Sequence, residues 1–169
     1  MNTLIILLFF LSNVQAFAAE ETKIIIRISK QQLYLYRSRQ LLKVYPLSTG
    51  RFGAGNMPKT GKTPLGKHLI SAKLGTGEPK GTIFNHWGNT RIIKKNLRSG
   101  ALMTSRILKL RGGTKDNRST EQRGIYIHGT SAEHWIGKAV SGGCIRMEND
   151  DVIDLFDQVK VGTVVEIKR

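Results

Sequence analysis

Short runs of β-branched and aromatic residues, separated by glycine, proline or polar turns, recur along this chain of 169 residues. Such runs favour extended backbone. Lys23–Ser29 (KIIIRIS), Leu33–Tyr36 and Leu41–Ser48 read as three strands. Polar turns at Ser29–Gln32 and Ser38–Gln40 join them into a meander. Pro64 cannot donate to a sheet ladder, so a further strand starts after it, over Lys67–Lys73. Ile83–Trp87, Thr90–Lys94, Leu102–Leu110, Ile125–Ile127 and Thr163–Lys168 complete the series. Two short helices are expected. One covers Ser131–Ile136, where Thr130 and Glu133 match a capping box. The other opens at Asn149 as N-cap, with Asp150, Asp151 and Asp154 near its positive end. Val152, Ile153, Phe156 and Val159 recur on it at helical spacing, and Gly162 closes the segment. The predicted fold class is therefore mostly β with two short helices. Gly50–Gly61 and Gly75–Gly81 are flexible loops, and Asn96–Gly100 is a basic turn. Arg111–Arg123 is polar and aperiodic, which suits a lid or binding loop, or a solvated insertion.

The chemistry concentrates in Ile125–Met147, which reads IYIHGTSAEHWIGKAVSGGCIRM. It contains Cys144, the single cysteine of the chain, and His128 sixteen positions upstream. A thiol nucleophile needs a base for its proton and backbone N–H groups for the oxyanion it creates. His128 is the candidate base. Gly142, Gly143 and Cys144 are the candidate oxyanion donors, since glycine lets the backbone approach a substrate carbonyl closely. Arg146 lies two residues from Cys144, hence on the same face of a strand. It suits a substrate carboxylate, a bracing role or a structural salt bridge. Ser141 either positions the Gly-Gly turn or donates to a substrate carbonyl. His86 and Trp87 either line a cleft or form a partly buried aromatic pair. His68 reads as structural or surface. His134 competes weakly for the base role, because no glycine turn or strand end presents it.

His128-Gly129-Thr130, followed after this gap by Ser-x-Gly-Cys-Ile-Arg-Met, resembles the active-site signature of the L,D-transpeptidase (YkuD-like) catalytic domains. Gln-x-Leu-Tyr-Leu-Tyr near the start, Thr63-Pro64-x-Gly66 and Met103-Thr-Ser-Arg-Ile-Leu are similar to other family segments. One departure stands out. Gly142 occupies the place where the family usually has a second histidine. The resemblance implies a β-sandwich-like fold over residues 19–169, with Cys144 as nucleophile and His128 as base. It also implies that a backbone carbonyl just after the histidine, here of Gly129, holds the other ring nitrogen. The implied reaction is attack on the L,D bond of a peptidoglycan tetrapeptide stem, giving a thioester that an amine or water resolves. No cofactor is called for: the chain has no Cys/His cluster at metal-ligand spacing and no phosphate-binding loop.

Charge sets the expected surroundings. Lys and Arg number 27 against 12 Asp and Glu, a formal +15, which favours polyanions such as an anionic cell envelope. Leu4–Leu11 is an unbroken apolar run, and Ala16-Phe17-Ala18 fits a small-x-small cleavage site. Residues 1–18 thus read as a secretory signal peptide, although no Lys or Arg precedes the apolar run. An uncleaved anchor or a buried amphipathic element are the other readings. Export would place a monomeric domain in the periplasm or cell-wall compartment. It also weighs against nucleic acid as partner, for which no motif is present. A lone thiol in an oxidising compartment asks for a reason, and catalysis is one. A cysteine hydrolase on the same site and a non-catalytic basic envelope-binding module are the competing functions.

Overall fold

Alternation decides which residues of the opening strands are buried. In β1 (Thr22–Arg27) Ile24 and Ile26 point inward, and in β2 (Gln32–Arg37) Leu33 and Leu35 do so. β3 (Gln40–Pro46) completes the expected meander. The computed structural model describes residues 21–85 and 101–169. The expected signal peptide, His86, Trp87, the run Thr90–Lys94 and the turn Asn96–Gly100 lie outside the described residues.

The remaining elements follow the sequence in order. They are β4 (Gly66–Leu74), β5 (Ile83–Phe84), β6 (Met103–Gly112), β7 (Tyr126–Thr130), β8 (Ile145–Met147), helix α1 (Asn149–Gln158) and β9 (Val164–Lys168). They form one mixed sheet in the order β3-β2-β1-β9-β4-β6-β7-β8, with β5 on β6. Two pairs, β1/β9 and β7/β8, are parallel, and the rest are antiparallel. The path curls until its ends meet. Just past β3, Ser48 exchanges two 2.8 Å backbone hydrogen bonds with Arg146 of β8. Ile24, Leu35 and Leu47 therefore share one apolar core with Ile127, Ile145 and Met147. Each such fully buried side chain contributes about 1.5–3 kcal/mol of transfer free energy.

Helix α1 covers β6 and β7 with Val152, Leu155 and Phe156, while Ile153 is only half-buried. Lys73 Nζ donates to the carbonyls of Phe156 and Val159 at 2.6 Å each, a cation where the helix dipole is negative.

Three local expectations are corrected. Asn149 is not the N-cap of α1; Glu148 holds that position and makes no side-chain cap bond. Asn149 instead turns inward. Its Oδ1 accepts from the hydroxyls of Thr104 and Ser105, and its Nδ2 donates to Thr130 O at 3.1 Å and Glu133 Oε1 at 2.7 Å. Glu133 also accepts from the Asn149 N–H at 2.7 Å, so it makes no capping box with Thr130. The short helix expected over Ser131–Ile136 is present as a 3₁₀ helix at Glu133–Trp135, without that capping box. Finally, Arg111–Arg123 is not a free lid. It contains a 3₁₀ helix at Lys115–Thr120 with buried Asn117 and Thr120, and Asn117 Nδ2 donates to the carbonyls of Leu65 and Lys67. A polar segment is held here because its amides satisfy carbonyls at the start of β4.

Asn149→Ala would leave Thr104, Ser105 and Thr130 with unpaired buried groups. Each such group costs about 1–3 kcal/mol. Urea unfolding of the variant is expected to show a loss of about 3 kcal/mol or more, with an unchanged m-value.

Candidate active site

His128 lies within β7, and Cys144 immediately precedes β8. The parallel ladder pairs Ile127 with Ile145, His128 with Arg146 and Gly129 with Met147. Ile145 and Met147 enter the core, so Cys144 and Arg146 face the other side, together with His128. Strands ~4.8 Å apart and a two-residue offset of ~3.3 Å each put the Cys144 and His128 backbones roughly 8 Å apart, within reach of both side chains. A parallel pair cannot be joined by a tight turn; it needs a crossover of about a dozen residues or more. The segment 131–144 between β7 and β8 is that crossover, and it sets most of the sixteen-position offset from His128 to Cys144.

Gly129 is glycine for a steric reason. A Cβ there would stand 2.6 Å from Thr104 O, 2.8 Å from Asn149 Oδ1 and 3.0 Å from Val152 Cγ1. The close approach of α1 and β6 thus demands the residue that follows the histidine.

His128 is buried, and its Nδ1 lies 2.7 Å from the carbonyl oxygen of Gly129, as the family resemblance implied. A carbonyl only accepts, so Nδ1 carries the proton and Nε2 keeps its lone pair. Burial lowers the His128 pKa to about 4; the Gly129 carbonyl opposes this and the Arg146 charge adds to it. The imidazole is therefore neutral at neutral pH, in the tautomer a base requires.

Cys144 is partly exposed, and its Sγ–H donates to Gly124 O at 3.2 Å. Burial pushes the thiol pKa up, while a hydrogen bond from the Tyr126 backbone and the charges of Arg146 and Arg123 pull it down. Thiol and imidazole are thus both neutral at neutral pH. The thiol lines a cavity of about 450 Å³ together with Arg123, Gly124 and Tyr126.

The turn before the thiol is built tightly. Ser141 is fully buried; its hydroxyl donates to Cys144 O at 2.6 Å and accepts from Gly143 N–H at 3.1 Å. Ser141 therefore positions the turn, and its hydroxyl is not turned to a substrate. The same bond removes Gly143 N–H from the expected oxyanion donors. No hydrogen bond among the described residues engages the N–H groups of Gly142 or Cys144, which remain available. Gly143 has φ 120°, which L side chains rarely adopt, and its carbonyl accepts from Thr63 Oγ1 at 3.0 Å. Gly142 has open space around it: a Cβ would meet nothing within 4 Å.

Arg146 is half-buried and borders a second opening with Trp135 and Val140. It makes no ion pair among the described residues, so the salt-bridge reading does not hold there. His134 stacks on Trp135, with ring centroids 5.2 Å apart, and is exposed. His68 is structural: it is buried, with its ring nitrogens 3.0 Å from Gly66 O and 3.1 Å from Thr120 Oγ1.

The parts played by two residues escaped the sequence reading, which placed Thr63 only in a family-like turn. Thr63 locks the loop before β4 onto the Gly-Gly turn, accepting from Gly50 N–H at 2.8 Å as well. Arg123 donates to the carbonyls of Gly55 and Asn56 at 3.2 Å each, and to Lys62 O, while adding charge beside Cys144. Nothing in its spacing separates Arg123 from the other cations of its segment.

The family model for the L,D-transpeptidase catalytic domain matches residues 21–167. The Escherichia coli (strain K12) protein YcfS, named a probable L,D-transpeptidase, is 31% identical over 150 residues, covering 85% of this chain and 43% of its own. Bacillus subtilis (strain 168) YkuD, assigned by name to the L,D-transpeptidases, is 29% identical over 147 residues, covering 86% and 65%. The chain thus spans less than two thirds of the length of these curated relatives. Two solved structures share the fold. An L,D-transpeptidase from Mycobacterium smegmatis has TM-score 0.58 at 19% identity, over 89% of this chain and 59% of that one. One from Xylanimonas cellulosilytica has TM-score 0.58 at 20% identity, over 90% and 62%.

A histidine held neutral by the fold makes stability depend on pH. The unfolded chain binds a proton near 6.5 that the folded site refuses until about 4. Stability is therefore complete above about 6.5 and falls as pH drops to about 4, by roughly 3 kcal/mol at about 1.4 kcal/mol per pH unit. His68, also lowered by burial, acts in the same direction. Denaturant unfolding across this window is expected to show a shallower slope in His128→Gln than in the wild type.

Proposed function

The chain belongs to the L,D-transpeptidase catalytic-domain family, and from that premise we propose that it is a cysteine acyltransferase acting on peptidoglycan stem peptides. The observation that carries the reading is the His128 tautomer: Nδ1–H on the Gly129 carbonyl, and a neutral Nε2 with no hydrogen-bond partner among the described residues, on the face shared with Cys144.

In the first half-reaction the Cys144 proton passes to His128 Nε2 as sulfur attacks the carbonyl between the third and fourth stem residues. The oxyanion is held by the N–H groups of Gly142 and Cys144; losing one such donor typically costs about 3–4 kcal/mol of transition-state stabilisation. Protonated His128 then gives its proton to the leaving amine, the C–N bond breaks and a thioester remains. In the second half-reaction an amine attacks the thioester carbonyl and His128 takes its proton; the C–S bond breaks, and His128 returns that proton to the Cys144 sulfur. A side-chain amine of another stem gives a 3–3 cross-link, a free D-amino acid gives exchange, and an envelope-protein lysine gives attachment. Burial of the thiol delays ionisation until the complex forms, while Arg146 and Arg123 favour the thiolate once it does.

A second reading, hydrolysis, is favoured by one observation. The open space at Gly142 leaves the turn uncovered, and water could resolve the thioester there. In both readings residues 1–18 direct export, and the basic domain works in the periplasm or cell-wall compartment.

Mass spectrometry of tetrapeptide muropeptides incubated with the protein lacking residues 1–18 tests the proposal. Exchange of the terminal D-residue for an added D-amino acid, or dimer formation, is expected for the wild type and absent for Cys144→Ala. Loss of that residue to water alone would select hydrolysis. The +15 charge further predicts salt-sensitive binding to isolated sacculi. Binding is expected to fall steeply towards ~1 M salt, where the screening length is ~3 Å.

A further inference from the structure

The two faces of the curled sheet carry opposite charge. Helix α1 covers one face of β6 and β7. With its N-cap it bears Glu148, Asp150, Asp151, Asp154 and Asp157, five of the 12 acidic residues of the chain, and no Lys or Arg occurs within 148–159. His128 and Cys144 lie on the other face, outside the curl.

That outer face carries a diagonal of cations that starts beside the thiol. Lys109 of β6 stands opposite Tyr126 of β7, and Tyr126 lines the cavity that holds Cys144. Arg111 follows two residues along β6, on the same face. Opposite Arg111 is Leu69, and Lys67 lies two residues further along β4. Lys67 stands opposite Glu166 of β9; Lys168 comes two residues later and stands opposite Arg27 of β1. With strands ~4.8 Å apart and ~3.3 Å per residue, successive cations on this path are roughly 5–8 Å apart. Glu166 is the carboxylate on the path, and Lys23 and Lys168 hold it at 2.7 and 3.0 Å. Arg27, Lys67 and Arg111 are exposed and make no ion pair among the described residues.

We infer that this band is a docking surface for peptidoglycan as a polyanion, and that it turns the Cys144 face towards the polymer. The inference rests on the acyl-transfer reading above, which makes a carboxylate-bearing wall polymer the substrate. Charge complementarity selects the face: the band attracts a polyanion, and the carboxylates of α1 repel one from the opposite side. The occupant is a hydrophilic chain and not a bilayer. Among the described residues, the exposed large apolar side chains, such as Leu42, Phe52, Met57 and Trp135, lie off the four strands that carry the band. The band also follows the outside of the curl, which a flexible polymer can track and a flat membrane cannot. Its cations are exposed and spread over four strands, so they read charge density and no single group. A polymer lying along them is led from Arg27 to Tyr126 and so to the thiol.

Co-sedimentation of Cys144→Ala protein with isolated sacculi tests this without turnover. Two triple variants carry the same change in net charge. One reverses the band, with Arg27→Glu, Lys67→Glu and Arg111→Glu. The other reverses exposed cations off it, with Arg39→Glu, Lys138→Glu and Lys160→Glu. At ~0.1 M salt the band variant is expected to lose at least about tenfold in affinity, and the other no more than about threefold. Thermal melting checks that both are folded, and glutamine in place of glutamate serves where the reversal unfolds the sheet. Equal losses would overturn the band, because total charge would then account for binding. Sacculi freed of phosphodiester polymers by hydrofluoric acid are expected to bind as well as untreated ones. Loss of binding there, or equal binding to phosphatidylglycerol vesicles, would overturn peptidoglycan as the occupant. With the thiol intact, the ratio of turnover on sacculi to turnover on a soluble tetrapeptide muropeptide is expected to fall in the band variant alone; an unchanged ratio would overturn the aiming role. Turnover of neither substrate by the wild type would instead overturn acyl transfer, and the sedimentation result would still decide the band.

Discussion

The parallel pairing of β7 with β8 is the constraint on which the site depends. It sets His128 opposite Arg146 and thereby puts the residue two before Arg146 on the histidine's face. β8 has only three residues, too few to hold its register alone. The backbone exchange between Ser48 and Arg146 secures its other edge, and the Gly50–Ser141 bridge extends that contact to the turn before the thiol. The strand that aims the nucleophile is thus paired on both sides, so its register is over-determined. The curl of the whole sheet, which brings the end of the opening meander to β8, is what makes this possible.

Asn149 and Gly129 show how packing reaches the chemistry. Asn149 fills its hydrogen-bonding capacity with β6, β7 and Glu133 and draws the start of α1 onto the histidine strand. That approach leaves no room for a Cβ after His128. The Gly129 carbonyl that orients the imidazole therefore belongs to a residue chosen for packing. One glycine serves both ends: its missing side chain admits the helix, and its carbonyl fixes the tautomer.

Burial and charge oppose one another at the thiol. Desolvation keeps both Cys144 and His128 neutral, yet Arg123 and Arg146 favour the thiolate. Arg146 makes no ion pair among the described residues, so its field is not quenched by a neighbouring carboxylate. Arg123 also ties the Gly50–Lys62 loop to the segment before β7, which couples the wall of the site to its electrostatics.

The local order of strands and turns was legible in the sequence, because alternation and turn chemistry are short-range properties. Cys144 and His128 stood out as candidates in one continuous stretch, and the contact of His128 Nδ1 with the Gly129 carbonyl, which the structure shows, came from the family resemblance. The capping expectations at Thr130 and Asn149 failed for a common reason. Each named a residue suited to cap its own neighbours, and the curled sheet offered Glu133 and Asn149 to each other, a contact between residues sixteen apart. Arg123 and Thr63 were equally hidden, since their partners lie 61–68 and 80 residues away. The sequence by itself determined which groups could do chemistry and that the fold is built of strands. Tertiary structure decided which N–H groups stay free, that Ser141 serves the turn, and which cations border the thiol. Those depend on long-range hydrogen bonds and burial, which no local pattern of residues encodes.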